Sequence, residues 1–581
     1  MRRRNSRMNN GYVGGARYPL RYTDGYGVIT PNKCHLVERE VQDWNCPSYW
    51  LPLPVPAEGT QRFVGLVAIF QGASGNTGST ADSNFVSFRC SGNYIVDWGI
   101  TTPANPNGVT TAHTSNTDAQ RQYNWADVPA STLTPDGYRQ VVIQAYPQSG
   151  QNLTTVNLNR AFSQTGVATI DFKSTTQWLD VAMSGPNLSS VVIGGSSFTG
   201  NNSTRHFLLQ RVNMIGHMTS LTGFGNVPGF LHACTGVERI TGTNWTETQT
   251  DFRHFISGAI NIRSLPLLKT PALLTLQYWA GDAKGLVKLP PIVTGKVTNM
   301  QQGFSESIGI GDTPMPSVAP GAILSNLPMW NTALITDWSS CFLRQRCIRE
   351  FPPWQFNAAT TLSSTFQNCD SLERVGHINA PNCTVGTSLF NSCLTLTEVE
   401  GITLAVTVGL QNLFASCSNL RYAPRVRTPT GGITLSGTAF SSMYDSCLNL
   451  VSVPAYSFSS TSATFNTMFN SCTALTHLPD GFKFPNNLSG NTFSSSGPLF
   501  NTFNACPDIR RATMENVRKS LNFSGSASSG CVLSPTELNR IFTGLAGVTS
   551  QGTCTINITN NWGAAACDRS IATAKGWTVT G

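Results

Sequence analysis

The sixteen cysteines are the residues of this chain best equipped for chemistry. Thiols can pair as disulfides, ligate zinc or, as thiolates, act as nucleophiles. Their spacing points elsewhere. Cys369, Cys393, Cys417, Cys447, Cys472 and Cys506 each lie three residues after an aromatic: Phe366, Phe390, Phe414, Tyr444, Phe469 and Phe503. Leu372, Leu396, Leu420, Leu450, Leu475 and Ile509 follow three residues later. A cysteine fixed at one place in a recurring phrase reads as a buried small hydrophobe, although neighbouring copies could approach closely enough for a bridge. No Cys-x-x-Cys pair occurs and the eight histidines keep no regular company with the cysteines, so no structural zinc cluster or other metal site is expected. Cys341 with Cys347, flanking a turn, and Cys554 with Cys567, near the end, are the disulfide candidates.

Two other chemistries need consideration. Glycan hydrolysis needs two carboxylates about 5–10 Å apart, and Asp370, Glu373, Glu398, Glu400 and Asp445 lie where neighbouring repeats could supply a pair. Sparse acidic residues at turns need no such role. Sugar binding uses exposed aromatic rings, for which Trp330, Trp338, Tyr422 and Tyr456, lying between the phrase's own positions, are candidates. Tyr422 has the alternative of packing on its own repeat. No nucleotide-binding loop, zinc-protease or serine-hydrolase motif is present, so neither catalytic residues nor a cofactor are expected.

The elements that position these residues are repeats. The phrase aromatic–x–x–Cys–x–x–Leu–x–x–apolar is clear from residue 342 onward, with Gln345 at the cysteine place of its first copy. Degenerate copies place Val237, Ile262, Leu286 and Ile310 at the leucine position, with Ala259 and Ser307 at the cysteine place. Leucine positions then follow at intervals of 25, 24, 24, 38, 24, 24, 24, 30, 25 and 34 residues. The longer intervals read as loops inserted between turns of a solenoid, and the interval of 38 could hold a diverged copy. An aromatic and a cysteine three apart can share a face of a helical or 3-10 turn, leading into a short strand at Leu-x-x-Val. No such unit buries its apolar face alone; stacking does, and each repeated position becomes a ladder through the core.

"FQNCDSLERV" and "FNSCTALTHLP" resemble the leucine-rich repeat of bacterial surface proteins (the BspA-like type) over roughly residues 155–510. The resemblance implies a right-handed solenoid used in adhesion and protein contact. "NYIVDWG" at 93–99, with Tyr138 in "DGYRQVVIQAYP", resembles the PKD-type, immunoglobulin-like β-sandwich. The second acidic residue of that family's turn is missing after Asp97-Trp98-Gly99, so Trp98 reads as buried and Asp97 as capping a turn. In "LSPTELNRIFTGL", Ser534 and Glu537 stand as a capping box before a helical apolar face. The ending from there resembles one shared by tailed-bacteriophage virion and tail proteins that carry such repeats.

Composition agrees with a polar-surfaced β-protein. Charged residues are 12% of 581, and four of the positive charges behind the net +8 are Arg2, Arg3, Arg4 and Arg7. That arm reads as a docking or solubilising tail; contact with an acidic neighbouring subunit or a nucleic acid is the other use of such a cluster. No apolar run approaches the roughly 18 residues of a membrane span. Asn9, Asn10, Gly11 and Tyr12 stand where a secretion signal would be apolar, so release by cell lysis is the expected route outward.

The expected fold is mainly β with short helices: an arm (1–59), an immunoglobulin/PKD-like β-sandwich (60–150), an irregular leucine-rich-repeat solenoid (151–510) and a small α+β module (511–581). The expected function is that of a non-catalytic phage virion protein, tail- or fibre-associated, presenting the solenoid to a host surface glycan or protein. Its alternatives are an architectural adaptor or capsid decoration protein and a tail-associated polysaccharide depolymerase. The expected partners are other virion proteins and copies of itself in a symmetric assembly, with no membrane insertion and no nucleic acid.

Overall fold

The computed structural model describes residues 45–581, and before them only 12–13 and 16–17. Outside the description lie 72–83, 104, 106, 163–172, 175–176, 195–205, 207, 219–228, 243–244, 287–288, 308–326, 347, 406, 432–433, 437–438, 461, 480, 486–501, 504–505, 513, 516, 525–531 and 549–553. The protein is mainly β, and the chain divides into two compact units, Met1–Ala272 and Leu273–Gly581.

In the first unit the apolar run Arg62–Phe70 forms a strand buried on both faces, as a continuous β-branched and aromatic stretch should. It pairs antiparallel with Tyr138–Pro147 and with Trp178–Ser184 inside a seven-stranded sheet. Phe63 meets Phe88 of the four-stranded second sheet at 5.4 Å between ring centroids. Gly65 is required here, since a Cβ would lie 2.2 Å from the Trp178 ring. Trp98 is buried and Asp97 accepts the Gly99 amide at 3.0 Å, capping the turn.

Two expectations change in this unit. Residues 45–59, assigned to the arm, pack on the chain's own sheet: Trp50 and Leu53 cover Val64, Leu66 and Ala68, and the Trp50 indole donates to Tyr138 Oη at 2.9 Å. The boundary at 150 is also not a break. Strands Thr155–Asn157, Trp178–Ser184 and Ser190–Val192 all belong to the two sheets of the front domain. Trp178–Ser184 is the hinge in topology, antiparallel to Arg62–Phe70 on one side and parallel to Arg211–Ile215 on the other. Arg211–Ile215 pairs in parallel with Arg239–Thr241. Arg211–Ile215 and Arg239–Thr241 therefore extend the antiparallel sheet in parallel register and cover the edge that Trp178–Ser184 would otherwise expose.

The second unit is a stack of rungs. Glu350, Arg374 and Glu398 pair in parallel register, as do Ile378, Ile402 and Val426. Asn299 pairs directly with Asp337, so the rungs on either side of the 38-residue interval are neighbours at that position. The aromatic–Cys segment is neither α-helix nor 3-10 helix. Ser364 and Asn368, on either side of Phe366, have φ of 54° and 59°; Ser388 and Ser392 around Phe390 repeat this at 56° and 61°. Left-handed residues cannot continue a right-handed helix, and serine and asparagine tolerate that region by bonding locally.

The reversals aim alternate amides along the stack. Leu362, Ser364, Phe366 and Asn368 donate to the carbonyls of Val385, Thr387, Leu389 and Asn391 on the next rung at 2.8–2.9 Å. The intervening Thr365, Gln367 and Cys369 amides bond within their own rung. Residues 276–282, 300–306, 338–344, 386–392 and 410–416 repeat this pattern with the same sense. Backbone groups of a buried wall must be paired, and here the rung in front pairs them.

The C-terminal module closes the unit. Helix Pro535–Gly544 begins with Ser534 Oγ accepting the Glu537 amide at 3.1 Å, and buries Leu538, Ile541 and Phe542. Strands Leu521–Asn522, Cys554–Asn557 and Trp577–Thr580 make a parallel sheet. Among the described residues, no helix is long and apolar enough to cross a membrane.

Candidate functional site

The ladder residues occupy the interior. Phe366, Phe390, Phe414, Tyr444 and Phe469 stack ring on ring, with centroids 5.3–5.7 Å apart and planes within 8°. Leu372, Leu396, Leu420, Leu450 and Leu475 are buried beside them. Each cysteine is buried, and its thiol donates to the carbonyl of the aromatic one rung earlier. Cys369 reaches Phe342 at 3.1 Å, Cys393 reaches Phe366 at 2.9 Å and Cys417 reaches Phe390 at 3.0 Å. Cys447, Cys472 and Cys506 reach Phe414, Tyr444 and Phe469 at 3.0, 3.0 and 2.9 Å.

Burial pushes the Cys369, Cys417, Cys447 and Cys472 thiols well up, so they stay protonated and remain donors. The cysteine place is therefore a donor place as well as an apolar one. That explains two departures from the phrase. Ser307 donates to the Ala280 carbonyl and Gln345 to that of Phe304, the equivalent acceptors. Of the other cysteine candidates, Cys554 and Cys567 do not pair, their thiols bonded to the Arg518 and Ala564 carbonyls, and the pairing of Cys341 with Cys347 falls outside the described residues, which omit Cys347. Among the described residues no three His, Cys, Asp or Glu gather as a metal site.

Three aromatic candidates for sugar binding are in the core: Trp330 is 6% exposed, and Trp338 and Tyr456 are 0%. The reason lies in inward positions that the phrase omits. Trp338 stands four residues before its aromatic, as do Leu362 and Leu410, and Tyr456 stands six after its leucine, as do Ile378 and Ile402. Trp330 stacks on Trp354 at 5.4 Å. Tyr422 alone of the four is outside, 61% exposed. The arginines of the arm, Arg2, Arg3, Arg4 and Arg7, lie outside the described residues.

What remains for binding is the outward flank beside the parallel bridges. Glu350, Arg374 and Glu398 form one row there, and Arg374 contacts both neighbours, at 3.8 and 3.2 Å. Arg349 faces Glu373 at 3.8 Å, and Arg346 faces Asp370 at 3.9 Å. Burial pushes the Asp370 carboxyl up, against the pull of Arg346. Asp445 accepts from Asn470 Nδ2 at 2.9 Å and Ser446 Oγ at 3.0 Å. A shallow cavity opens among Arg374, Val375, Gly376, Glu398 and Glu400. Asp370, Glu373 and Glu398 thus each face a guanidinium, an arrangement that fixes charge in rows.

The next rung breaks the balance. Arg421, Tyr422, Arg425 and Arg427 are all exposed, while Pro424 and Val426 between them are buried. Among the described residues no carboxylate lies within ion-pair distance of these three arginines, whereas Glu398 one rung back is engaged by Arg374. Val426–Arg427 is also the last strand of its three-stranded sheet, at the point where the repeat interval lengthens to 30. The signal was present as "RYAPRVR", three cations without an anion in a chain poor in charge.

No protein-family model matches the chain, and no curated protein matches it. Among solved structures, a chain of the crystal structure of a TLR13–ssRNA13 complex is 14% identical over 68% of this chain, with a TM-score of 0.17. This chain spans 65% of that one, under two-thirds of its length. A likeness at that score carries no argument about either fold or function.

Proposed function

We propose that this chain is a non-catalytic structural protein of a bacteriophage virion, tail- or fibre-associated. In this reading an immunoglobulin/PKD-like sandwich carries an irregular leucine-rich-repeat solenoid of the bacterial surface-protein type. The solenoid presents its flank to a host surface glycan or protein, and other virion proteins and further copies of the chain are its assembly partners. The observation that carries the reading is the division of labour within each rung. The conspicuous residue types, aromatic and cysteine, are used up in a buried, hydrogen-bonded spine. Variation is left to outward rows, which can change without disturbing that spine.

Antibodies against the chain, added to a phage-producing bacterial lysate, should label particles at the tail and slow their adsorption to cells. Unlabelled particles would overturn the reading; labelling without any effect on adsorption would favour the architectural role. Release of reducing ends from surface polysaccharide by the purified chain would replace it with the depolymerase reading.

A further inference from the structure

We infer that the rung at 421–427 is an anion-binding face, and that its occupant is an acidic polysaccharide bearing carboxylate groups. This deepens the proposed surface-binding role and rests on it.

Three observations point there. Arg425 and Arg427 flank the buried Val426 in extended chain, so both side chains leave the same face, about 7 Å apart along the strand. Arg421 lies on the same rung, its guanidinium 5.9 Å from the exposed Tyr422 ring. No described carboxylate pairs with any of the three, although the rungs before them pair arginine with acid in row after row. Like charges gathered within about a Debye length repel one another. A counter-anion relieves that repulsion, and a polymer with repeated negative groups does so at several points at once.

The chemistry of the face selects among anions. A guanidinium fork matches the planar carboxylate with two parallel N–H···O bonds. Tyr422 offers an apolar ring with a polar tip, suited to the apolar side of a sugar lying between charged groups. Single-stranded nucleic acid is fitted less well, because its binding sites stack successive bases on several aromatics. Among the described Phe, Tyr and Trp residues of 342–484, Tyr422 is the one that is exposed.

The test uses the full chain and immobilised polygalacturonate at low salt. The wild-type chain should bind, and the affinity should fall as salt rises. R421Q/R425Q/R427Q should weaken binding roughly tenfold to a hundredfold. R253Q/R344Q/R540Q, which removes the same charge from arginines paired with carboxylates away from this flank, should change it by less than about threefold. R421K/R425K/R427K should lose part of the affinity, since the charge stays and the fork goes. All these side chains are substantially exposed, and unchanged circular dichroism should confirm folding. Absence of wild-type binding, equal loss in the two glutamine triples, or tighter binding of an oligonucleotide or of sulfated dextran would overturn the inference. Labelled particles together with absent polysaccharide binding would overturn it alone, leaving the surface-binding role intact.

Discussion

Substitution of Cys417 separates the two reasons for which a rung keeps cysteine. Its side chain is wholly buried, and its thiol donates at 3.0 Å to a Phe390 carbonyl that also accepts the Cys393 amide, at 3.1 Å. Alanine removes the donor, about 0.5–1.5 kcal/mol, and leaves a void where the sulfur packed, about 1–2 kcal/mol. The sum is about 2–3 kcal/mol. Serine keeps the donor and loses only the sulfur's packing, about 1 kcal/mol; Ser307, fully buried at the equivalent place, makes this same bond. Valine fills the space but donates nothing and crowds a close-packed wall, about 2–3 kcal/mol. The expected order of damage is serine, then alanine and valine together. Urea midpoints would measure it, joined to hydrogen exchange over 386–420, because a stack of repeats need not unfold in one step. If valine proves milder than serine, the place is merely apolar and the donor argument fails.

Other consequences follow from the same packing. Phe390→Ala, which removes a ring stacked on Phe366 at 5.4 Å and on Phe414 at 5.3 Å, should cost about 3–5 kcal/mol and loosen amide protection on both neighbouring rungs; protection unchanged on either side would contradict the stack. Alkylation of the native chain should modify the exposed Cys46 and spare Cys369, Cys393, Cys417, Cys447, Cys472 and Cys506, as read by peptide mass; comparable rates would show the spine to be open. In the first unit His232 and His254 stack at 5.0 Å, and burial, followed by the charge of His254, lowers His232 to about 4. An unfolded histidine titrates near about 6.5, so the unfolded chain takes up the proton first. This contribution to stability is complete above that pH, falls as pH drops toward 4 and levels off below; His232→Gln should flatten that part of a urea-stability profile, and an unaltered slope would refute the assignment.

Much of the second unit was legible in the sequence because its contacts recur at one spacing. The interval of 24 that separates Leu372 from Leu396 is also the register that pairs Arg374 with Glu398. The local backbone was not legible. An aromatic and a cysteine three apart fit a helical turn in isolation, and only the neighbouring rung makes the left-handed Ser364 and Asn368 favourable, by accepting their amides. The burial of Trp338 and Tyr456 was hidden for a related reason, since a four-position phrase captures only part of a rung's inner wall. The boundary at 150 failed because strand Trp178–Ser184, read as repeat, also serves the front sheet. At the candidate site the acidic residues were visible in the sequence, but their arginine partners stand one rung back, at distances only the folded register creates. The three arginines of "RYAPRVR" could have been found as charge without compensation.

The aromatic–Cys–Leu phrase builds a wall closed by bonds from each rung to the next. Residue-resolved amide hydrogen exchange on the full chain tests it most directly. The amides of Ser364, Asn368, Ser388 and Ser392, polar positions of which all but Ser388 are partly exposed, should be as protected as those of Phe366 and Phe390, because all six donate to the following rung. Fast exchange at the four polar positions, with protection kept only at the two aromatics, would contradict it.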